Sequence, residues 1–564
     1  MQYFYKQIVP GQRNDGRGSH LLRALCQFSL RNETLLIGGL LVLIVAVTSI
    51  AAAMQGRYYM DGHHPGNMMA GALNVLHGQP LLSQVQSIYG VFLPHLNALQ
   101  LYMFGETYLS LWVLPIVAFA GGLVIYHKLF RTFLGPLESF IAVVIMLALN
   151  GTVLMPWSNY LVFGVNALIL LMYCRVLNQS DRQLLVLAAI GVLIFCATLI
   201  RPQDILLFAG LLLVLAIYSS KDRISQAAAL GLGLLVPLVT FVAWLAYNGT
   251  LVDYYLQTIA VQDRLYFADK GPLFGVSQIF EVFATGYAAG KTHFDVGFAP
   301  FGNLFGVLWL LVFLPSAFVV IRVGFSALTD LLGRNRIHQE VPPGVLLVAM
   351  LTAIGPLFAL HNVWDNFRYA LHMAQGVGVI FYCVNQMARE DVARAISVTI
   401  TFFFFTPIFA EVDAVKTSIA YLDARRTQQA SAPEVKYFEN IEMPPVMRER
   451  LALDEKFFRS YGDKYSDSCL YTSMWAITDG IYAVGKIPIC HKTLTNDHFA
   501  PTFYIYYPEY PAMFDQAARS RKLIFITVDG SYTGLVPYDY VKFREVNGLS
   551  IFIARERAES FEMP

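Results

Sequence analysis

Asp61, His63 and His64 fall together in the stretch Tyr59-Met60-Asp61-Gly62-His63-His64-Pro65-Gly66. A carboxylate at that place can take a proton from a hydroxyl as a bond forms, or it can cap a helix. The two imidazoles can assist proton transfer, coordinate a cation or meet a headgroup phosphate. Two arginines carry complementary chemistry. Arg201 lies in Leu199-Ile200-Arg201-Pro202-Gln203-Asp204, and Arg368 in Asn366-Phe367-Arg368-Tyr369. A guanidinium grips phosphate oxygens in bidentate fashion; the alternative use of each is snorkelling toward lipid headgroups. Gln203 and Asp204 can orient Arg201 or a substrate, and His361, Asp365 and His372 flank Arg368. No CxxC or Cys/His cluster has zinc spacing, so no resident metal is expected, while a divalent cation near Asp61 stays open.

The elements that must position these groups are set by composition. Hydrophobic residues make up 56% of the 564 and charged residues only 14%, against about 25% in a soluble domain. Mean hydropathy is +0.51. The missing charge implies a surface that faces lipid. A net charge of +1 excludes the concentrated basic face of a nucleic-acid binder. Apolar runs predict about eleven transmembrane helices, at roughly 34–53, 108–127, 139–155, 159–174, 183–200, 205–218, 226–247, 301–321, 344–361, 370–387 and 395–410. The third, fourth and sixth are short. The first is not expected to be a cleaved signal, since about 33 residues precede it, it is too long for an h-region and no A-x-A-like site with a clear polar boundary follows.

Basic residues orient the chain. The tail 1–33 holds Lys6, Arg13, Arg17, Arg23 and Arg31. If it is cytoplasmic, the other short inner loops hold Lys128 and Arg131; Arg175 and Arg182; Lys221 and Arg223; Arg322, Arg334 and Arg336; Arg389 and Arg394. Each is basic, as the positive-inside rule requires. Three larger pieces then face outward: a loop over about 54–107, a loop over about 248–300, and a domain over 411–564. Asp61, Arg201 and Arg368 all fall at outer helix ends. The second outer loop mixes Tyr254, Tyr255, Gln262, Asp263, Arg264, Lys270, Lys291 and His293, a composition that suits carbohydrate contact and equally suits an ordinary interfacial loop.

Two apolar-periodic segments in the first outer loop, near 66–76 and 91–103, are too interrupted to span and are predicted to lie in the membrane interface. Between them stand Gly78-Gln79-Pro80 and Tyr89-Gly90. An acid just after the first helix, two interfacial helices, a Gly-x-Pro turn and a Tyr-Gly together resemble the GT-C superfamily of polytopic membrane glycosyltransferases. The resemblance covers roughly 34–410 and is at superfamily level. Where that superfamily often has a second acid, this chain has Asp61-Gly62-His63-His64. Arg368-Tyr369 looks like the Arg-Tyr motif that GT-C proteins carry before a late helix.

The resemblance implies a polyprenyl-phosphate-linked sugar as donor substrate, used on the outer leaflet, with a glycan, lipid or protein as acceptor. It casts Asp61 as the general base, Arg201 and Arg368 as ligands of the donor phosphate, and Tyr89, Gln203, Asp204 and Tyr369 as further substrate contacts. The implied site is the outer face of a plasma membrane, the bacterial inner membrane. Two alternatives differ in kind: a ligase or polymerase moving a whole lipid-linked glycan, and a transporter. A transporter calls for midplane charges or paired broken helices, whereas the notable charges here sit at helix ends.

After Glu411 the composition turns polar. Short β-like runs at Cys469–Trp475, Leu523–Val528 and Leu549–Ala554, with a helix near Ala512–Arg519, predict a small α/β domain. Val546-Asn547-Gly548 is a hairpin signal. The expected fold class is therefore mainly α: a polytopic, GT-C-like helical bundle with a small C-terminal α/β domain. Cys469 and Cys490 are the two cysteines of the outer side; in an oxidising compartment they can pair, or they can stay as two buried thiols.

Overall fold

A computed structural model describes residues 33–58, 64–83, 87, 90–150, 157–178, 183–218, 222–260, 302–331, 341–359, 371–387, 392, 396, 399, 445–472, 487, 489–494, 506, 510–528, 539–546 and 549–561. Asp61, His63, Tyr89, Arg368 and Tyr369 lie outside the described residues, as do the basic tail, the second outer loop beyond 260, most of the eleventh expected span and the side chains of His64 and Cys490.

The first ten expected spans each fall on helix. They are α1 (Glu33–Tyr58), α4 (Val113–Phe130, entered through a 3₁₀ turn at Tyr108–Trp112), α5 (Pro136–Asn150), α6 (Ser158–Asn178), α7 (Gln183–Ile200), α8 (Ile205–Tyr218), α9 (Arg223–Tyr247), α11 (Gly302–Leu331), α12 (Pro343–Ile354) and α13 (Val377–Met387). The interfacial segments form α2 (His64–Leu76) and α3 (Phe92–Phe104), and α10 (Leu251–Tyr255) follows α9. Six helices are long and apolar enough to cross a membrane, and three shorter apolar helices accompany them among the described residues. The fourth span, expected to be short, is a full 21 residues. Asn159, Asn166 and Arg175 cut its apolar run without ending its helix. The ninth is shorter than expected: α12 gives way to a 3₁₀ turn at Gly355–Ala359, where Pro356 has no N–H for the helical ladder.

Helices approach closely through small residues, the means by which helices associate in lipid. A Cβ on Gly233 of α9 would overlap the Ala188 carbonyl of α7, and a Cβ on Gly191 would overlap that of Leu230. The order of contacts gives direction. Gln226 bonds Gln183 at 2.8 Å, Gly191 meets Leu230, and Phe241 meets Phe195 at 6.1 Å. Both chains advance together, so α7 and α9 are parallel. In the same way Phe119 meets Tyr160 and Tyr126 meets Phe163, making α4 and α6 parallel. Alternation of these helices puts Lys128, Arg131, Arg175 and Arg223 at one end, and Asn159, Arg201 and Asn248 at the other. α12 is buried at every position from Gly344 to Thr352, which accounts for its apolar sequence on all faces. α9 instead exposes Leu232, Val236 and Val239, the surface expected to meet lipid.

The C-terminal region forms a five-stranded sheet in the order β2-β1-β3-β5-β4, from β1 (Cys469–Thr472), β2 (Ile489–Leu494), β3 (Leu523–Val528), β4 (Tyr540–Val546) and β5 (Leu549–Ala554). β1 is parallel to β2 and β3, and β5 runs antiparallel to β3 and β4. Val546 pairs with Leu549, so Asn547-Gly548 joins a tight hairpin, as its sequence signals. β2 (Ile-Cys-His-Lys-Thr-Leu) was not anticipated: three polar residues hide the strand, and its pairing with β1 makes it one. α14 (Pro445–Lys464) turns Phe457 and Tyr461, one helical turn apart, onto Phe543 and Phe561, with centroids 5.6 and 5.2 Å apart. α15 (Tyr510–Arg519) and α16 (Arg555–Ser560) complete the domain.

Candidate functional site

The end of the bundle that bears Arg201 holds a buried polar cluster in an otherwise apolar interior. α7 ends at Ile200, Arg201 adopts an extended backbone, and Pro202 opens the 3₁₀ turn Pro202–Asp204 that leads into α8. Proline suits that first position because its missing N–H has no helical partner there. The turn drives both charged residues inward: Arg201 is 6% exposed and Asp204 0%. Gln203, between them, is half-buried.

α6 supplies the partners. Arg201 Nη1 donates to Asn159 Oδ1, and Asn166 Nδ2 donates to Asp204 Oδ1 at 2.8 Å. Asn159 and Asn166 are seven residues apart, two helical turns, and so share a face. His372 closes the cluster from the segment before α13, with Nε2 3.6 Å from Asp204 Oδ1. That is too long for a hydrogen bond but within ion-pair reach of a protonated imidazole. Gln375 Nε2 donates to the His372 carbonyl. Tyr126 of α4 lies within the electrostatic reach of Asp204.

Several polar atoms here make no hydrogen bond within the protein. Asp204 Oδ2, Asn159 Nδ2, Asn166 Oδ1 and the Tyr126 hydroxyl are buried without a hydrogen bond. Leaving such groups unsatisfied costs about 1–3 kcal/mol each. Ionisable residues inside a membrane bundle mark functional sites by default, because nothing else offsets their desolvation. The arrangement offers a fixed cation, a carboxylate and amide donors at the mouth of the bundle.

The first outer loop sits at the same end. Leu81, Leu82 and Val91 pack with Leu245 near the end of α9, against Phe241 and Tyr254. Gln257, in the π turn Leu256–Ala260, accepts from the Ser87 N–H at 2.9 Å and donates to the Leu82 carbonyl at 2.9 Å. Gly90, at φ +68°, brings its backbone against Tyr254; a Cβ would lie 3.3 Å from that ring. Tyr506 of the C-terminal region donates to the Ala260 carbonyl at 3.3 Å. Both outer loops and the C-terminal region thus meet at the end of the bundle that holds Arg201.

Of the residues expected from sequence, Arg201 and Asp204 are brought together, with His372 beside them. Asn159, Asn166, Tyr126, Gln375 and Gln257 were not anticipated. The two asparagines had a signal, polar residues two turns apart in an apolar run; Gln257 had none. Among the described residues no three metal-ligand side chains gather. Cys469 is disulfide-bonded, while Cys174, Cys196 and Cys383 are not.

No family model and no curated protein matches the chain. Solved structures are similar in fold. ArnT from Cupriavidus metallidurans bound to undecaprenyl phosphate is 12% identical with a TM-score of 0.48, covering 91% of this chain and 97% of that one. The oligosaccharyltransferase AglB from Archaeoglobus fulgidus, in complex with an inhibitory peptide and a dolichol-phosphate, is 12% identical with a TM-score of 0.47, covering 86% and 69%. The Archaeoglobus fulgidus oligosaccharyltransferase in its apo form has a TM-score of 0.46 at the same identity.

Proposed function

We propose that this chain is a membrane glycosyltransferase of GT-C type, moving a sugar from a polyprenyl-phosphate-linked donor to a glycan, lipid or protein acceptor. The observation that carries the reading is the buried Arg201–Asn159, Asp204–Asn166 cluster at one end of an apolar bundle. Such a cluster at a helix junction suits a phosphate headgroup arriving from the membrane plane. The first-loop pattern from Asp61 to Tyr89-Gly90 supports it.

The chemistry follows from the residue types. The acceptor hydroxyl oxygen attacks the anomeric carbon while Asp61 takes the hydroxyl proton. The bond between that carbon and the phosphate oxygen breaks, and its electron pair leaves with the polyprenyl phosphate. Arg201 and Arg368 bind the phosphate and offset the charge that develops on the leaving oxygen. Asp204, Gln203, Tyr89 and Tyr369 contact substrate around that centre. The domain over 411–564 and both outer loops occupy the non-cytoplasmic face, in agreement with their meeting at the Arg201 end. Membership of the bacterial inner membrane belongs to the same reading.

The test is release of labelled polyprenyl phosphate and transfer of label from a panel of radiolabelled polyprenyl-phosphate sugars by the purified protein in bilayers. Transfer of single sugars supports the reading. Transfer of whole lipid-linked glycans would favour a ligase, and solute flux without sugar release would replace it with a transporter.

A further inference from the structure

We infer that Gln257 is a positioning residue for the donor site, the part that fixes the first outer loop to the bundle. This rests on the glycosyltransferase reading for what the loop contacts, but not for the clamp itself. Gln257 is fully buried and spans two chain segments more than 160 residues apart in sequence, as the separations of 170 and 175 record. Its amide does two opposite things at once. Oε1 accepts from the Ser87 N–H and Nε2 donates to the Leu82 carbonyl. Neither a carboxylate nor an apolar side chain can do both.

The loop needs such a clamp. Leu82 has φ +69°, a left-handed conformation that a leucine keeps only when its surroundings enforce it. Its carbonyl is the one that Gln257 captures. Ser87 Oγ bonds the Gly90 carbonyl, so the clamp on Ser87 reaches the glycine that closes the loop, beside the proposed substrate residue Tyr89. Gly90 in turn lies on Tyr254 and Thr258, three residues before Gln257 and one after it. The π turn that carries Gln257 is an irregularity often found at functional sites. The far end of that turn is braced by Tyr506, through its bond to Ala260. The C-terminal region therefore touches the clamp within three residues of Gln257.

The experiment measures amide hydrogen exchange across 81–91 in the full-length protein, alongside affinity for polyprenyl phosphate in detergent, which needs no turnover. Gln257→Leu should speed exchange at Ser87 by at least about 10-fold, as for loss of a buried backbone bond, and weaken polyprenyl phosphate binding about 5- to 10-fold. Exchange in α7 and α9 should stay unchanged. Gln257→Glu, buried and therefore protonated, can still accept from Ser87 and donate to Leu82, so it should stay nearer the parent than the Leu variant. Tyr506→Phe should raise exchange at 256–260 and leave α7 unchanged. Unchanged exchange at Ser87 overturns the clamp. Faster exchange with unchanged affinity overturns the positioning role. Absence of sugar transfer by the parent protein would instead defeat the glycosyltransferase reading and leave the exchange measurement decisive for the clamp.

Discussion

Asn166→Leu tests whether Asp204 works as a charged group at the centre of the site. The substitution keeps the branched shape of the side chain, with bulkier methyl groups in place of the amide atoms, and removes the 2.8 Å bond from Asn166 Nδ2 to Asp204 Oδ1. Both residues are buried, at 1% and 0% exposure, so water does not replace the lost donor. Asp204 Oδ2 already has no hydrogen bond, and the remaining neighbour of Oδ1 is His372 Nε2 at 3.6 Å. An interhelical hydrogen bond between neutral groups in a membrane protein is worth about 0.6 kcal/mol. One to a charged group is worth about 1.5–3 kcal/mol. The two cases are far enough apart to measure. The assay is a double-mutant cycle of Asn166→Leu and Asp204→Leu, read by equilibrium unfolding in mixed micelles. Each single variant strands one buried polar partner, while the double replaces both with apolar groups and should recover much of the loss. The expected coupling is about 2 kcal/mol. A coupling at or below about 0.6 kcal/mol would refute a charged Asp204 and remove the electrostatic basis of the cluster.

Four further outcomes follow. Asp61→Asn should lower turnover about 10²- to 10⁴-fold with donor binding near normal; because Asn and Asp cap helices about equally well, turnover within a few-fold of the parent would leave Asp61 a helix cap. Arg201→Ala and Arg368→Ala should each weaken donor binding by about 1.5–3 kcal/mol, roughly 10- to 150-fold, and unchanged affinity in both would make them headgroup anchors. Cys469 is disulfide-bonded, and we expect Cys490 as its partner, with about 3 kcal/mol from closing the loop; labelling of Cys490 in denatured, unreduced protein would exclude that pairing. Alkaline phosphatase fused at Pro564 should be active, whereas activity of a cytoplasmic reporter there would invert the topology.

The sequence by itself determined the membrane bundle and the place of most helices. Those properties follow from apolar run length, which acts over one segment at a time. It also picked out Arg201 and Asp204, because a charged pair around Pro202 stands out in apolar surroundings. It misjudged α6 as short by ending it before Arg175, where the helix continues to Asn178; tertiary structure made its two asparagines the partners of Arg201 and Asp204. It missed β2, whose polar residues become strand only through pairing with β1. Gln257 was decided by tertiary structure alone, and so was the approach to Asp204 of His372, which the sequence set only beside Arg368. Gln257 acts on atoms 170 and 175 positions away, and His372 reaches Asp204 from a distant segment. Contacts of that kind leave no periodicity or spacing in the sequence, because they depend on which helix ends the folded bundle brings side by side.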